Sequence, residues 1–377
     1  MMKKILILTG RYLPGHKDGG PLRTIINLTE ALFTEYEFYI ACYDRDHGDL
    51  KPYENIKYNE WNSVGSARVW YVKEGFFSKK LIQKLALGKD FIYLTGFFEE
   101  YGYNTLLLKK TGKIKLPLAI ASMGVFAKDA LAHGAVKKRL FIWACKALGL
   151  FKGIVWSVTS ELEADDVKKT IGSNIQYVVA EDLPRIKIPG RFKQADEKIG
   201  IVFLSRICEH KHPDIVIDAV SMMHNKQNVS LSFFGPIQEK AFWDKCIQKL
   251  EKVDYKWNYG GDVPSDNVQE ILSHYDLFVL PSKSENYGHV IYEALSVGCI
   301  PVISNRTPWK DLEKENIGYE VQLDAKSFAE KLNLLANMSA DERNIMADNC
   351  VSYAKRKSEE VFETTGYRKI FGQEDYK

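Results

Sequence analysis

Two carboxylates, Glu285 and Glu293, flank seven residues in the run Pro281-Ser-Lys-Ser-Glu-Asn-Tyr-Gly-His-Val-Ile-Tyr-Glu293. The first precedes a helical stretch and the second lies about a turn inside it, so both can face one ligand. Free backbone N–H groups at such a helix start suit a diphosphate. Two cations, Arg206 and Lys211, follow another apolar run and precede Pro213, a favoured first helical residue. Cations placed there can neutralise a diphosphate leaving group. A third chemistry-bearing stretch is Gly19-Gly20, where the chain can take positive φ and approach a phosphate or sugar closely.

The elements that must position these residues read as repeated strand–loop–helix units. Leu277-Phe-Val-Leu280 is a short apolar run ending at Pro281, as a strand buried on both faces should be. Val290, Ile291, Ala294 and Leu295 then recur at helical spacing, Gly298 ends the helix, and Ile300-Pro-Val-Ile303 begins the next strand. Ile199–Leu204 is the strand before Arg206, and Lys4–Leu8 the one before the Gly19-Gly20 loop. Open α/β sheets bind nucleotides outside the carboxyl ends of such strands. The glycines after Leu8 do not fit G-x-G-x-x-G, which disfavours a dinucleotide-dependent dehydrogenase.

Length and composition frame the same picture. The chain has 377 residues, enough for two domains, with globular proportions of 45% hydrophobic and 27% charged residues. A net charge of +3 argues against a dedicated nucleic-acid binder. No stretch has the apolar length of a membrane span, and Met1–Leu8 is strand-like rather than a signal peptide. Six widely spaced cysteines without a C-x-x-C pair fit reduced thiols in the cytoplasm and give no support for a zinc site. Between Glu181 and Lys198 prolines and charges replace any periodicity, which predicts a domain boundary at 183/184.

The E-x7-E pair, set in Asn-Tyr-Gly and Glu-Ala-Leu-x-x-Gly-x-x-Pro-Val, resembles the signature of glycosyltransferase family 4. The resemblance covers most of the chain and is densest from Ile199 to Asp324. It implies a GT-B architecture: α/β, two facing Rossmann-like domains with a cleft between them, and a C-terminal helix crossing back. The expected division is 1–183 for the acceptor and 184–355 for a nucleotide-sugar donor, with 356–377 packing on the first domain. On this resemblance Glu285 contacts the donor sugar and Glu293 the ribose, while Arg206 and Lys211 bind the diphosphate. Donor contacts also fall to Asn286, Tyr287, Gly288, His289 and Val290. Backbone groups at Val263 would hold the base, and Gly19 and Gly20 would face the donor. Transfer would retain anomeric configuration, with no cofactor, no metal and no protein nucleophile.

Departures and side readings remain. Many members of the family carry a histidine after the strand Leu116–Ala121, where this chain has Met123 before Gly124, and His133 is a weak substitute. Asp44 and Asp46 mimic a metal-binding D-x-D, but sit too early in a βα domain for that chemistry and are expected to wall the acceptor side. Thr159-Ser-Glu-Leu-Glu163 has capping-box chemistry. The stretch from Ala135 mixes Val136, Leu140, Ile142 and Trp143 with Lys137, Lys138, Arg139 and Lys146. Such a helix either packs on its own sheet or lies on an anionic membrane. The Asp44–Asp49 loop, followed by Trp61, resembles a subgroup pattern within the family, and Ser304–Leu312 resembles a subgroup used in bacterial surface-polysaccharide pathways. The acceptor would then be a glycan or a lipid-linked oligosaccharide. Two other functions share this outline: a nucleotide-sugar 2-epimerase, and an inert nucleotide-sugar-binding partner of another transferase.

Overall fold

A computed structural model of the chain describes residues 2–132, 135–185, 190, 193–195 and 197–372. It divides into two compact units, Met1–Leu183 with Val361–Lys377, and Pro184–Glu360.

The first unit contains strands β1 (Lys3–Leu8), β2 (Tyr36–Tyr43), β3 (Asn62–Val64), β4 (Ala67–Val72), β5 (Phe91–Leu94), β6 (Leu118–Ala121), β7 (Val155–Val158) and β8 (Gln176–Val179). Its helices are α1 (Gly20–Leu32), α2 (Lys79–Ala86), α3 (Glu100–Lys110), α4 (Lys128–Ala132), α5 (Ala135–Ala147) and α6 (Glu161–Ile171). The strands form one sheet in the order β3-β4-β2-β1-β5-β6-β7-β8. All pairs are parallel except β3 with β4, a short hairpin the sequence does not announce. β1 explains the pattern. Ile5 and Ile7 turn to one face and Leu6 and Leu8 to the other, and all four are fully buried.

The second unit contains β9 (Ile199–Leu204), β10 (Val229–Phe234), β11 (Lys256–Tyr259), β12 (Leu277–Leu280), β13 (Ile300–Ser304) and β14 (Tyr319–Val321). Helices α7 (Pro213–Ser221), α8 (Lys240–Leu250), α9 (Val268–Leu272), α10 (His289–Ser296) and α11 (Ala325–Asn337) connect them. The all-parallel order is β11-β10-β9-β12-β13-β14, so the winding reverses between β9 and β12. Loops leaving two adjacent strands diverge at such a point and open a crevice at their carboxyl ends.

α12 (Ala340–Thr364) opens on a capping box, with Ser339 Oγ accepting from Glu342 N at 3.2 Å and Glu342 Oε2 from Ser339 N at 2.8 Å. It runs unbroken past the expected boundary at 355, and the second unit ends at Glu360. A helix α13 (Gly366–Gly372) follows. Its Tyr367, Ile370 and Phe371 are buried against the α1 face of the first sheet. There Phe371 meets Tyr36 edge-on at 5.2 Å, and Lys3 Nζ donates to the Phe371 carbonyl at 3.1 Å.

Candidate functional site

The second unit's switch point gathers most of the predicted residues. β12 ends at Leu280 and the loop 281–288 carries Glu285, Asn286 and Tyr287 to Gly288. Gly288 has φ 82° and ψ 55°, and a Cβ there would meet Ile291 Cδ1 at 2.9 Å, so the position needs glycine. It is the N-cap of α10 and provides no side-chain acceptor for the helix's first N–H groups. The Gly288 carbonyl takes the Ile291 N–H at 2.8 Å, and a helix start without a side-chain cap suits an anion. Tyr287 is buried, and its carbonyl accepts from Trp309 Nε1 at 2.6 Å. Its ring lies 4.9 Å from that of His289. Asn286, His289 and Val290 are half-buried around the helix start, and Glu293 is buried inside α10.

From β9, Arg206 emerges exposed, its Nη1 donating to Gln238 Oε1 at 3.1 Å. Lys211 ends a single turn of 3-10 helix, Glu209–Lys211, before His212 in the left-handed region and α7. Its ammonium is buried and directly paired with the Glu285 carboxylate. The sequence reading assigned these residues to separate ends of the ligand. The fold joins them, so each is the other's counter-charge until a ligand replaces one of the two. Beside them, His210 Nε2 lies 3.1 Å from the Ser284 carbonyl oxygen. Ser284 Oγ lies 3.3 Å from the same nitrogen, and in the tautomer that carries its proton on Nε2 the ring donates to the carbonyl. Burial holds this imidazole's pKa below the usual histidine value. Sequence reasoning passed over His210 and Ser284, which have no motif of their own.

Val263 follows the edge strand β11, and its N–H is taken by Asp262 Oδ1 at 2.9 Å. In this structure that N–H is satisfied by the neighbouring side chain.

The first unit treats its strand-end loops differently. Gly19 has φ 64° and caps α1 without a side chain, and a Cβ at Gly19 or Gly20 would meet nothing within 4 Å. Asp46 holds the preceding turn, accepting from the backbone N–H groups of His16 at 2.7 Å, Lys17 at 3.1 Å and His47 at 2.9 Å. Asp44 accepts from Arg45 Nε and from Tyr58 Oη, both at 2.8 Å. Both aspartates are buried and brace their loop from within. They form no metal cluster, and among the described residues no group of three His, Cys, Asp or Glu could hold a metal ion.

Met123 takes φ +45° and Gly124 φ +73° at the end of β6. Glu163 fixes this turn by accepting from Gly124 N at 2.5 Å and from Thr159 N at 2.7 Å. The capping box is thus half-formed: Ser160 Oγ accepts from Glu163 N at 3.2 Å, while the glutamate reaches past the cap to another strand end. His133 lies outside the described residues.

α5 answers the choice between packing and exposure with both. Ile142 and Cys145 are buried, and Lys138 turns back to donate to the Ala130 carbonyl at 2.6 Å. On the opposite side Val136, Leu140 and Trp143 are 81%, 63% and 65% exposed, one stripe at i, i+4, i+7. Helical spacing sets exposed Lys137 on one flank of that stripe and exposed Arg139 and Lys146 on the other. No helix among the described residues is long and apolar enough to cross a membrane.

Solved structures with the same fold have very different sequences. A structure of HepE from Anabaena, in complex with UDP and glucose, matches with TM-score 0.70 at 14% identity, covering 96% of this chain and 99% of that one. Sucrose-phosphate synthase from Thermosynechococcus elongatus matches with TM-score 0.73 at 16% identity, over 99% and 100%. WaaG, a glycosyltransferase involved in lipopolysaccharide biosynthesis, matches with TM-score 0.63 at 13% identity, over 98% of each chain. No curated protein sequence matches. The fold is α/β with parallel sheets in two units, matching GT-B glycosyltransferase structures. Within it, residues 185–357, which carry the Lys211–Glu285 pair and α10, match the model of the family described as glycosyl transferases group 1.

Proposed function

We propose that this chain is a retaining, metal-independent glycosyltransferase of family 4. It moves a hexosyl group from a UDP- or GDP-linked sugar to a hydroxyl of a glycan or lipid-linked oligosaccharide. The observation that carries this reading is the buried Lys211–Glu285 pair at the second sheet's switch point, beside the side-chain-free start of α10. Support for the donor class comes from the UDP and glucose bound to HepE, and for a surface-polysaccharide pathway from the lipopolysaccharide biosynthesis named for WaaG.

In this reading the donor's diphosphate takes over Lys211 and recruits exposed Arg206. Glu285 is thereby released to the sugar hydroxyls. Negative charge grows on the leaving diphosphate as the anomeric carbon gains oxocarbenium character. Arg206, Lys211 and the first N–H groups of α10 are in place before that charge develops, so little reorganisation is needed. Glu285 holds the sugar so that the acceptor hydroxyl enters from the face the diphosphate leaves, which preserves configuration. Glu293 accepts from the ribose. The exposed apolar stripe of α5, flanked by cations, supports an acceptor carried on a lipid at the inner face of the plasma membrane.

A thermal-shift and calorimetry panel of UDP-, GDP- and dTDP-sugars tests the reading, with free nucleoside diphosphate assayed as the product of transfer or slow hydrolysis. One nucleotide should stabilise the protein clearly, and Glu293→Ala should weaken it by about 1–3 kcal/mol through the lost buried hydrogen bonds. A protein that binds none of the three is not this enzyme. Binding without any release of nucleoside diphosphate would mark an inert partner instead.

A further inference from the structure

Three consecutive residues after β9 face three consecutive residues after β12 at one constant offset of 74 positions. Glu209 pairs with Lys283 at 3.0 Å, His210 bonds the Ser284 carbonyl oxygen at 3.1 Å, and Lys211 pairs with Glu285. A backbone bond, Lys283 N to His210 O at 2.9 Å, ties the two segments in the same place. Both segments have left the sheet, so ladder hydrogen bonds do not hold them together. The rungs also grade in burial. The Glu209 and Lys283 side chains are 63% and 36% exposed, whereas those of Lys211 and Glu285 are 9% and 12% exposed.

The innermost rung has a difficulty that the outer two resolve. If a nucleotide sugar is to bind as proposed above, Lys211 and Glu285 must part, one towards phosphate and one towards the sugar. Parting them removes the strongest tie between the loops at the moment when both must stay aligned. We propose that His210, seconded by the exposed Glu209–Lys283 pair, is a positioning residue: it keeps the two loops in register while Lys211 and Glu285 exchange each other for the donor. The imidazole suits this because a single ring N–H spans the gap to Ser284 and needs no charge. Protonation would put a third positive charge beside Lys211 and Arg206, and compete with Lys211 for Glu285.

The proposal rests on the transferase reading, and the experiment separates the two. Steady-state kinetics and donor calorimetry are run on the full chain as wild type, His210→Ala, His210→Gln, Glu209→Lys, and the swap Glu209→Lys with Lys283→Glu. His210→Ala should lower kcat about tenfold or more, because small displacements of reacting groups are costly, with donor affinity changed much less. His210→Gln, whose amide can still donate to Ser284, should recover most of that loss. Glu209→Lys should lower kcat by a smaller factor that the swap restores. Wild-type kcat should also fall below neutral pH on an ionisation absent from His210→Gln. Wild-type turnover with kcat unchanged in His210→Ala overturns the positioning role. So does an equal loss in His210→Ala and His210→Gln that tracks thermal stability. A wild type that neither binds nor turns over a nucleotide sugar overturns the transferase reading itself.

Discussion

The two units fold their strand-end loops with the same residue type and opposite consequences. In the first unit the buried carboxylates of Asp46 and Glu163 accept from backbone N–H groups, His16, Lys17 and His47 for one and Gly124 and Thr159 for the other. In the second unit Glu285 takes the Lys211 ammonium instead. A carboxylate spent on N–H groups freezes a turn, because no ligand can replace those donors without unfolding it. A carboxylate paired with a side-chain cation is exchangeable, because a phosphate can take the cation and a hydroxyl the carboxylate. Both sheets reverse their winding, β1 to β5 in one and β9 to β12 in the other, so topology alone does not designate a site. The partner of the carboxylate is what separates Glu285 from Asp46 and Glu163.

The sharpest way to break the comparison is to remove the cation. Lys211→Ala leaves Glu285 largely buried without its counter-charge, an arrangement that costs about 3–5 kcal/mol where a buried pair is broken. Turnover should fall on the order of a hundredfold, the usual scale for a group that meets developing charge. Arg206→Ala should lower turnover on the same scale but leave the thermal midpoint near wild type, since that side chain is exposed. If Lys211→Ala and Arg206→Ala behave alike in both measurements, the buried pair is not what distinguishes this site.

A smaller effect should follow from disarming a brace. Asp46→Ala leaves backbone donors of a partly buried turn unsatisfied and should cost about 1–3 kcal/mol of stability. Nucleoside-diphosphate affinity should stay within threefold of wild type in calorimetry. A drop beyond tenfold would mean that this turn serves the ligand after all, and the contrast between the units would collapse.

What the sequence could announce follows from the same distinction between local and distant causes. Parallel strands buried on both faces read as continuous apolar runs, so Ile199–Leu204 and Leu277–Leu280 were legible, as was the glycine that starts α10. β3, three residues with two of them polar, carried no such signal. The Lys211–Glu285 pair joins positions 74 apart, which no local pattern encodes. Ser160 and Glu163 did spell a capping box, but tertiary contact with Gly124 drew the glutamate away from its local partner. α12 runs unbroken to Thr364 because nothing in its sequence breaks a helix before Thr365 and Gly366. In α5, two apolar stripes satisfy helical spacing, and periodicity cannot say which one meets the sheet.

The outer stripe of α5 supplies the gentlest test, and it concerns charges that neither unit's turns consume. Val136, Leu140 and Trp143 offer apolar surface, while Lys137, Arg139 and Lys146 are exposed beside it. Lys138 does not belong with them, because it is held by the Ala130 carbonyl and lies 5.4 Å from the Phe98 ring centroid. Each cation near an anionic leaflet adds about 1 kcal/mol, so three give weak attachment that salt within the physiological range erodes. Sedimentation with phosphatidylserine-containing liposomes at low salt should therefore retain the wild-type protein and release it as salt rises. Replacing Lys137, Arg139 and Lys146 with glutamine should abolish retention with donor affinity intact, whereas Lys138→Gln should change retention little. Trp143→Ser should weaken binding in a way that low salt does not rescue, since it removes the apolar part. Should the wild type stay in the supernatant even at low salt, the stripe has a different occupant and the acceptor need not be carried on a membrane lipid.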